Sequence, residues 1–282
     1  DKFVLPFMGE DPVTEIGPAR VQEYRHHRRT TFIERYSREI ARSTLDKDII
    51  AIGQVLKTAV MLGWISHTPD LSEPYKKNSK ISRRPWFSQQ EYRTLYEATR
   101  RRVRNPIHKK HSHTYNQLHD FILFMANTGL RPDEAKRLRY KDVQIIEDND
   151  TDQTILLIEV QRGKRGVGYC KSTRGAVRPF ERLVERNNPE RGDLIFPSNH
   201  RGLFNAILAE EGLKFDEHGQ GRTFYSLRHT YICFRLMEGA DIYQVAKNCR
   251  TSVEMIEKYY AAHIENTLNA AAINVMRPRG DN

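Results

Sequence analysis

One short run stands apart from the rest of this chain. Thr154-Ile155-Leu156-Leu157-Ile158-Glu159-Val160 is rich in β-branched residues and reads as a strand. Gly163-Lys164-Arg165-Gly166 follows as a turn with a basic tip, and Gly168-Tyr169-Cys170 leads back. Nearly everything around this hairpin carries helical spacing. The expectation is a mainly α fold with one small β-hairpin or sheet.

Upstream, residues 1–16 read as irregular, punctuated by Pro6, Gly9 and Pro12. Pro18 suits the first turn of a helix, with Ala19, Val21 and Tyr24 toward a core. Residues 25–42 are dense in Arg and His, and Tyr24, Phe32 and Tyr36 interleave with them. That pattern is either a solvated face or one that lies on DNA. Thr44 reads as the cap of a second helix, with Leu45, Ile49, Ile52, Leu56 and Ala59 on one face and an end near Gly63. From His67 to Arg84 periodicity is lost among Pro69, Pro74, Ser79 and a basic cluster, which reads as a linker.

Helices resume over 85–145. Ser88-Gln89-Gln90-Glu91 is a capping-box pattern. Leu118, Phe121, Ile122 and Met125 form a buried stripe that Thr128-Gly129 ends, and Pro132 opens the next helix. Arg131 then stands at a helix N-terminus, beside free backbone N–H groups, where an anion is favoured. Helices are expected at 176–188 and 203–209, and another opens at Arg228 and stops at Gly239. Asp241 caps a short one. Thr251 or Ser252 caps the next, Thr251-x-x-Glu254 being a capping box, and Tyr260 falls two turns in. An amphipathic tail from Ile264 to Met276 packs on its own domain or docks on a neighbouring subunit.

The 282 residues are 38% hydrophobic, which permits a core, but 46 Lys and Arg stand against 36 Asp and Glu, a net +10. A basic surface of that size favours a polyanionic partner. Cys170, Cys233 and Cys249 are too scattered for a disulfide framework or a zinc site. No apolar run reaches membrane length and no signal peptide is evident, so a cytoplasmic protein is expected. The chain opens inside an apparent loop without Met, so further residues upstream are expected.

Two residue types complete this reading. A guanidinium is a permanently charged fork that grips two phosphate oxygens at once. A tyrosine hydroxyl can attack phosphorus and become a covalent ester. Thr128-Gly129-Leu130-Arg131-Pro132-Asp133-Glu134-Ala135, with Leu138 and Asp142-Val143 after it, resembles the first-arginine motif of the tyrosine recombinases, the phage integrase family. The hairpin lysine, Leu227-Arg228-His229-Thr230 and the Tyr260 region follow in that family's order and spacing. The resemblance covers about 85–265 strongly. The earlier helices are more weakly similar to the family's core-binding domain, whose first helix, like any arm-binding domain, is not recognised here.

The resemblance implies a tyrosine-recombinase catalytic fold preceded by a small helical core-binding domain. It divides the chain into a partial core-binding domain at 1–68, a basic linker at 69–84 and a catalytic domain at 85–282 with a C-terminal exchange helix. Arg131 and Arg228 would clamp one scissile phosphate. Lys164 would protonate the departing 5′ oxygen, with Lys171 as its rival. Glu134, or Asp133, would hold an arginine in place or simply offset the helix dipole. The motif register selects Tyr260 as nucleophile, and a shift of one selects Tyr259 with Arg250 before it.

Tyr225 stands where the family usually has His, and Thr251 where it has His or Trp. Each can donate a hydroxyl to phosphate without bringing charge. His229 and His218 fall outside the register, and His229 reads as structural. The implied reaction is DNA strand exchange through a 3′-phosphotyrosyl bond, with no metal, ATP or other cofactor, in the service of a mobile element. The implied partners are double-stranded DNA gripped as by a C-clamp, a homotetramer on two duplexes that is monomer or dimer when free, and directionality or host DNA-bending factors. Two other readings stay open: a catalytically weakened DNA-binding accessory protein, and a type IB topoisomerase-like relaxase.

Overall fold

The structure, a computed structural model, describes residues 2–72, 84–149, 151–161, 163 and 166–260. Lys164, most of the expected linker and the tail helix expected at 264–276 lie outside the described residues. The chain divides into two compact units, Asp1–Ser79 and Lys80–Asn282.

The first unit is helical. Helix α1, Val4–Met8, replaces part of the irregular segment expected over 1–16. Pro6 does not prevent it, because it sits in the first turn, where its missing N–H has no helical partner to lose. Helix α2, Pro18–Tyr36, starts at Pro18 as expected, and α3 spans Arg42–Met61. Helix α3 begins two residues before Thr44, whose N–H bonds the Ala41 carbonyl at 2.8 Å. Leu45, Ile52, Leu56 and Ala59 are buried along it, with Ile49 partly so.

The basic stretch of α2 needs a correction. Val21, Tyr24, Arg25 and Arg28 are all buried, because spacings of three and four place them on one helical stripe, while Ala19 is exposed. Arg28 Nε meets Asp48 at 3.1 Å, the Tyr24 hydroxyl donates to the same carboxylate at 2.9 Å, and Arg25 donates to the Leu71 carbonyl at 2.5 Å. Two arginines of the expected DNA-facing surface thus serve the interior of this unit. The outward basic and aromatic residues lie at the end of the helix, where Phe32 packs on Tyr36 at 4.7 Å and Arg35 lies over the Tyr36 ring.

In the second unit, α4 spans Gln89–Arg104 and is capped as expected, Glu91 N–H donating to Ser88 Oγ and Ser88 N–H to the Glu91 carboxylate. Helix α5, Ser112–Thr128, is central and packs against its neighbours with Leu118, Phe121, Ile122 and Met125 buried. After α6, Pro132–Ala135, come strands β1, Val143–Asp148, β2, Gln153–Val160, and β3, Gly168–Lys171. They form one antiparallel sheet in the order β1-β2-β3, with Val143 opposite Ile158 and Val160 opposite Gly168. Strand β1 falls where helix was expected to run to 145. It is a short edge strand ending in Glu147-Asp148, so its local signal is weak.

Helices α7, Val177–Asn187, α8, Arg201–Glu210, α9, Phe224–Met237, α10, Ile242–Asn248, and α11, Val253–Tyr260, follow among the described residues. Aromatic rings knit its main core: Phe121 meets Phe196 and Phe224 at 5.0 and 4.8 Å, and Phe204 stacks on Phe224 at 4.5 Å. A second cluster joins α9, α10 and α11 through Ile232, Leu236, Val245, Ile256 and Tyr260. Fully burying one such side chain is worth roughly 1.5–3 kcal/mol. Helix α11 has only Ile256 and Tyr260 in that class, so it is among the more lightly held parts of the unit.

Candidate active site

The site begins where α5 stops. Gly129 takes φ +66°, and a Cβ there would sit 2.4 Å from the Tyr231 ring, so the position admits glycine alone. The reversal sends Leu130 into the core and brings Arg131 out at the start of α6. Arg131 Nη1 pairs with Glu134 Oε1 at 3.0 Å and Nη2 donates to the Arg250 carbonyl at 2.7 Å. Helix α6 has one turn, and the Arg131 N–H already donates to Glu134 Oε2 at 3.0 Å. The free helix N-terminus expected to favour a phosphate is therefore not available here, because a helix this short has little dipole and its own carboxylate occupies the end.

Helix α9 supplies the second arginine. It begins at Phe224, capped by Thr223, so Arg228 lies in its second turn rather than at its head. Arg228 is buried, donating from Nη1 to the Gly129 carbonyl and from Nη2 to the Cys249 carbonyl, both at 2.6 Å. Among the described residues, Arg131 and Arg228 thus each commit two of five donors to the protein. Both line one open cleft of about 750 Å³, together with Tyr225, Thr251 and Tyr260.

Glu134 stands behind the cleft, 2% exposed, and holds Arg131 and Arg250 with the same oxygen. Asp133 is exposed. Lys171 pairs with Asp148 at the sheet, which holds that carboxyl below its ordinary range. Thr251 enters the cleft from the turn between α10 and α11, its N–H on the Ala246 carbonyl at 2.9 Å. The helix that follows starts from Ser252, whose carbonyl accepts from Met255 and Ile256. Tyr259 lines the cleft beneath Arg84, whose guanidinium lies 4.3 Å from its ring, and His218 meets Glu217 at 3.4 Å in the loop before α9.

The Tyr260 hydroxyl shares a short hydrogen bond with His229 Nδ1. Burial, with the charges of Arg84 and Arg228 adding to it, pushes His229 down to about 3, so the imidazole is neutral near pH 7. Burial also raises the Tyr260 phenol, against the opposing pull of Arg228. A neutral phenol therefore rests on a neutral imidazole. Three participants carried no sequence signal for these placements. Arg84 was one of a basic cluster, Arg250 entered only through the alternative register, and His229 read as structural. Among the described residues no group of three or more His, Cys, Asp and Glu could hold a metal ion. No described helix is long and apolar enough to cross a membrane.

A helical unit with a three-stranded antiparallel sheet, two arginines on one cleft and a tyrosine on the last described helix has the tyrosine-recombinase catalytic fold. Among solved structures, the chain is similar to the integrase of the Tn1549 transposon in complex with transposon right-end DNA, with a TM-score of 0.62 and 14% identity over 93% of this chain and 89% of that one. It is also similar to the XerH site-specific recombinase in its pre-cleavage complex with difH substrate, with a TM-score of 0.56 and 14% identity over 91% and 71%. No protein-family model matches the sequence, and no curated protein does. At such identities the likeness is one of fold.

Proposed function

We propose that this chain is a site-specific DNA recombinase that cuts and rejoins duplex DNA through a 3′-phosphotyrosyl intermediate, integrating or excising a mobile element. One observation carries the reading: two guanidiniums held from behind, with donors uncommitted among the described residues, share a cleft with a tyrosine. Such an arrangement suits a phosphodiester, whose non-bridging oxygens take the spare donors as charge builds on phosphorus. The fold it shares with DNA-bound recombinases supports the same reading.

In the proposed reaction Tyr260 leaves His229 and its oxygen bonds to phosphorus. The bond to the 5′ oxygen breaks, Lys164 protonates that oxygen, and the phenolic proton passes to solvent. Tyr225 and Thr251 donate hydroxyl hydrogen bonds to the phosphate. The 5′ hydroxyl of a partner duplex then attacks the ester and returns its proton to Lys164, the bond from phosphorus to the Tyr260 oxygen breaks, and that oxygen takes a proton back from solvent. One ester replaces another throughout, so ATP is not required. Four protomers on two duplexes form the working assembly, with the tail helix exchanged between neighbours and directionality or DNA-bending factors assisting. A free protomer is monomeric or dimeric.

The test is adduct formation on nicked duplexes tiled across DNA flanking the gene. The nick lets the short 5′ fragment diffuse away and traps the ester. The wild-type chain is expected to give a denaturation-resistant protein–DNA adduct that Tyr260→Phe abolishes and Tyr259→Phe does not. The lack of charge at Tyr225 and Thr251 favours one rival, a DNA-binding accessory protein, and binding with no adduct on any duplex is the result that supports it. Relaxation of supercoils without Holliday-junction formation supports a topoisomerase-like relaxase instead.

A further inference from the structure

The turn between α10 and α11 contains an oddity that the proposed chemistry does not use. Arg250 has φ +52°, a conformation that side chains other than glycine rarely adopt, yet its side chain is almost wholly buried. Its main-chain carbonyl accepts from Arg131 Nη2 at 2.7 Å. Its guanidinium meets Glu134 Oε1 at 3.4 Å, the same oxygen that holds Arg131 Nη1 at 3.0 Å, and donates to the Gly166 carbonyl of the β2–β3 connection. Glycines stand close to this group on either side of Gly166, one in the connection and one at the start of β3. A Cβ at Gly163 would lie 2.5 Å from Glu134 Oε1, and one at Gly168 would lie 3.2 Å from Arg250 Nε.

We infer that Arg250 is a positioning residue of the phosphate clamp, a reading that rests on the clamp proposed above. Arg131, Glu134 and Arg250 close a ring: one carboxylate is shared by two guanidiniums, and the second guanidinium's own backbone holds the first. Removing Arg250 leaves Glu134 with a single partner, so Arg131 loses the reference that fixes its plane. The fork geometry that grips two oxygens depends on that plane. Arg228 is an internal control, because its holders are the carbonyls of Gly129 and Cys249 and not Glu134.

The informative variant is Arg250→Gly, in which glycine accepts the positive φ and keeps the carbonyl while the guanidinium goes. Arg250→Lys is its companion, retaining charge without the fork. The probe is inorganic phosphate, titrated into the full chain with the arginine Nε–H resonances followed by NMR. The expected result is that phosphate shifts both Arg131 and Arg228 in the wild type. In Arg250→Gly the Arg131 response is lost and that of Arg228 remains, with Arg250→Lys intermediate. On a nicked duplex that gives an adduct, Arg250→Gly is expected to slow adduct formation about 10–100-fold at saturating DNA with little change in the DNA concentration for half-maximal rate. An unchanged Arg131 response overturns the inference and leaves the clamp standing. Loss of both responses, or of the folded chain, overturns it as well, since it makes Arg250 a general structural residue. No phosphate response from either arginine in the wild type sinks the clamp reading and this inference with it.

Discussion

Arg222 and Arg228 are six residues apart, almost equally buried at 2% and 3%, and opposite in employment. Arg222 spends every donor on the protein: Nε on the Trp86 carbonyl, Nη1 on those of Leu213 and Phe215, and Nη2 on both oxygens of Glu91 at 2.8 Å. Its guanidinium also lies 4.8 Å from the Phe87 ring. Arg228 gives two donors to backbone carbonyls and keeps the rest at the edge of a cleft. Burial therefore does not separate a structural arginine from one available to a ligand. The balance of donors used and donors left over does.

That contrast can be broken at its structural end first. Arg222→Ala strands three carbonyls and leaves Glu91 without its partner, and is expected to cost about 3–5 kcal/mol of stability. Urea unfolding measures it, and a loss below about 1 kcal/mol contradicts the account given of Arg222. Arg228→Lys is the matching change at the cleft. An ammonium can still bond a carbonyl but cannot span phosphate as a fork, so adduct formation is expected to fall about 10²–10³-fold while unfolding shifts by about 1 kcal/mol. A variant that cleaves normally contradicts the clamp.

A third change tests the buried His229–Tyr260 pair. His229 is pushed down to about 3 in the fold, against about 6.5 unfolded. The unfolded chain therefore takes up the proton first. Its contribution is present above about pH 6.5 and is lost as pH falls toward 3, at up to about 1.4 kcal/mol per pH unit. His119, pushed down to about 4 chiefly by burial, acts in the same direction. In His229→Asn the slope of stability between pH 6.5 and 4.5 is expected to shrink to what His119 and His200, also pushed down by burial, contribute, and a slope equal to that of the wild type contradicts the assignment. The smallest effect is expected for Thr251→Val, which removes one neutral hydroxyl. A loss of about 2–10-fold in adduct rate with an unmoved unfolding midpoint is anticipated. A loss as large as that of Arg228→Lys means Thr251 does more than donate one hydrogen bond.

The parts of this molecule legible in the sequence were those set by local chemistry. Glycine and proline around Arg131 announced a helix stop and start, Ser88 and Glu91 announced a cap, and apolar spacing announced the buried face of α5. What stayed hidden depends on partners distant in the chain. Arg25 and Arg28 look like surface cations until Leu71 and Asp48 come to meet them. Strand β1 exists because β2 pairs with it. The partners of Arg250 are likewise distant, a carboxylate 116 residues earlier and the carbonyl of Gly166. Tyr225 and Thr251 were legible as positions on the cleft, and their lack of charge was visible in their names alone.

Gly129 has a consequence that reaches past its own turn. The space its absent side chain leaves is filled by Tyr231, while its carbonyl is one of two that carry Arg228. Any larger residue there must push an aromatic ring and tilt the Arg228 guanidinium in the same movement. Folding yield and the placement of a cleft cation are thereby tied to one atom's worth of room, and drift at this position cannot erode one while sparing the other.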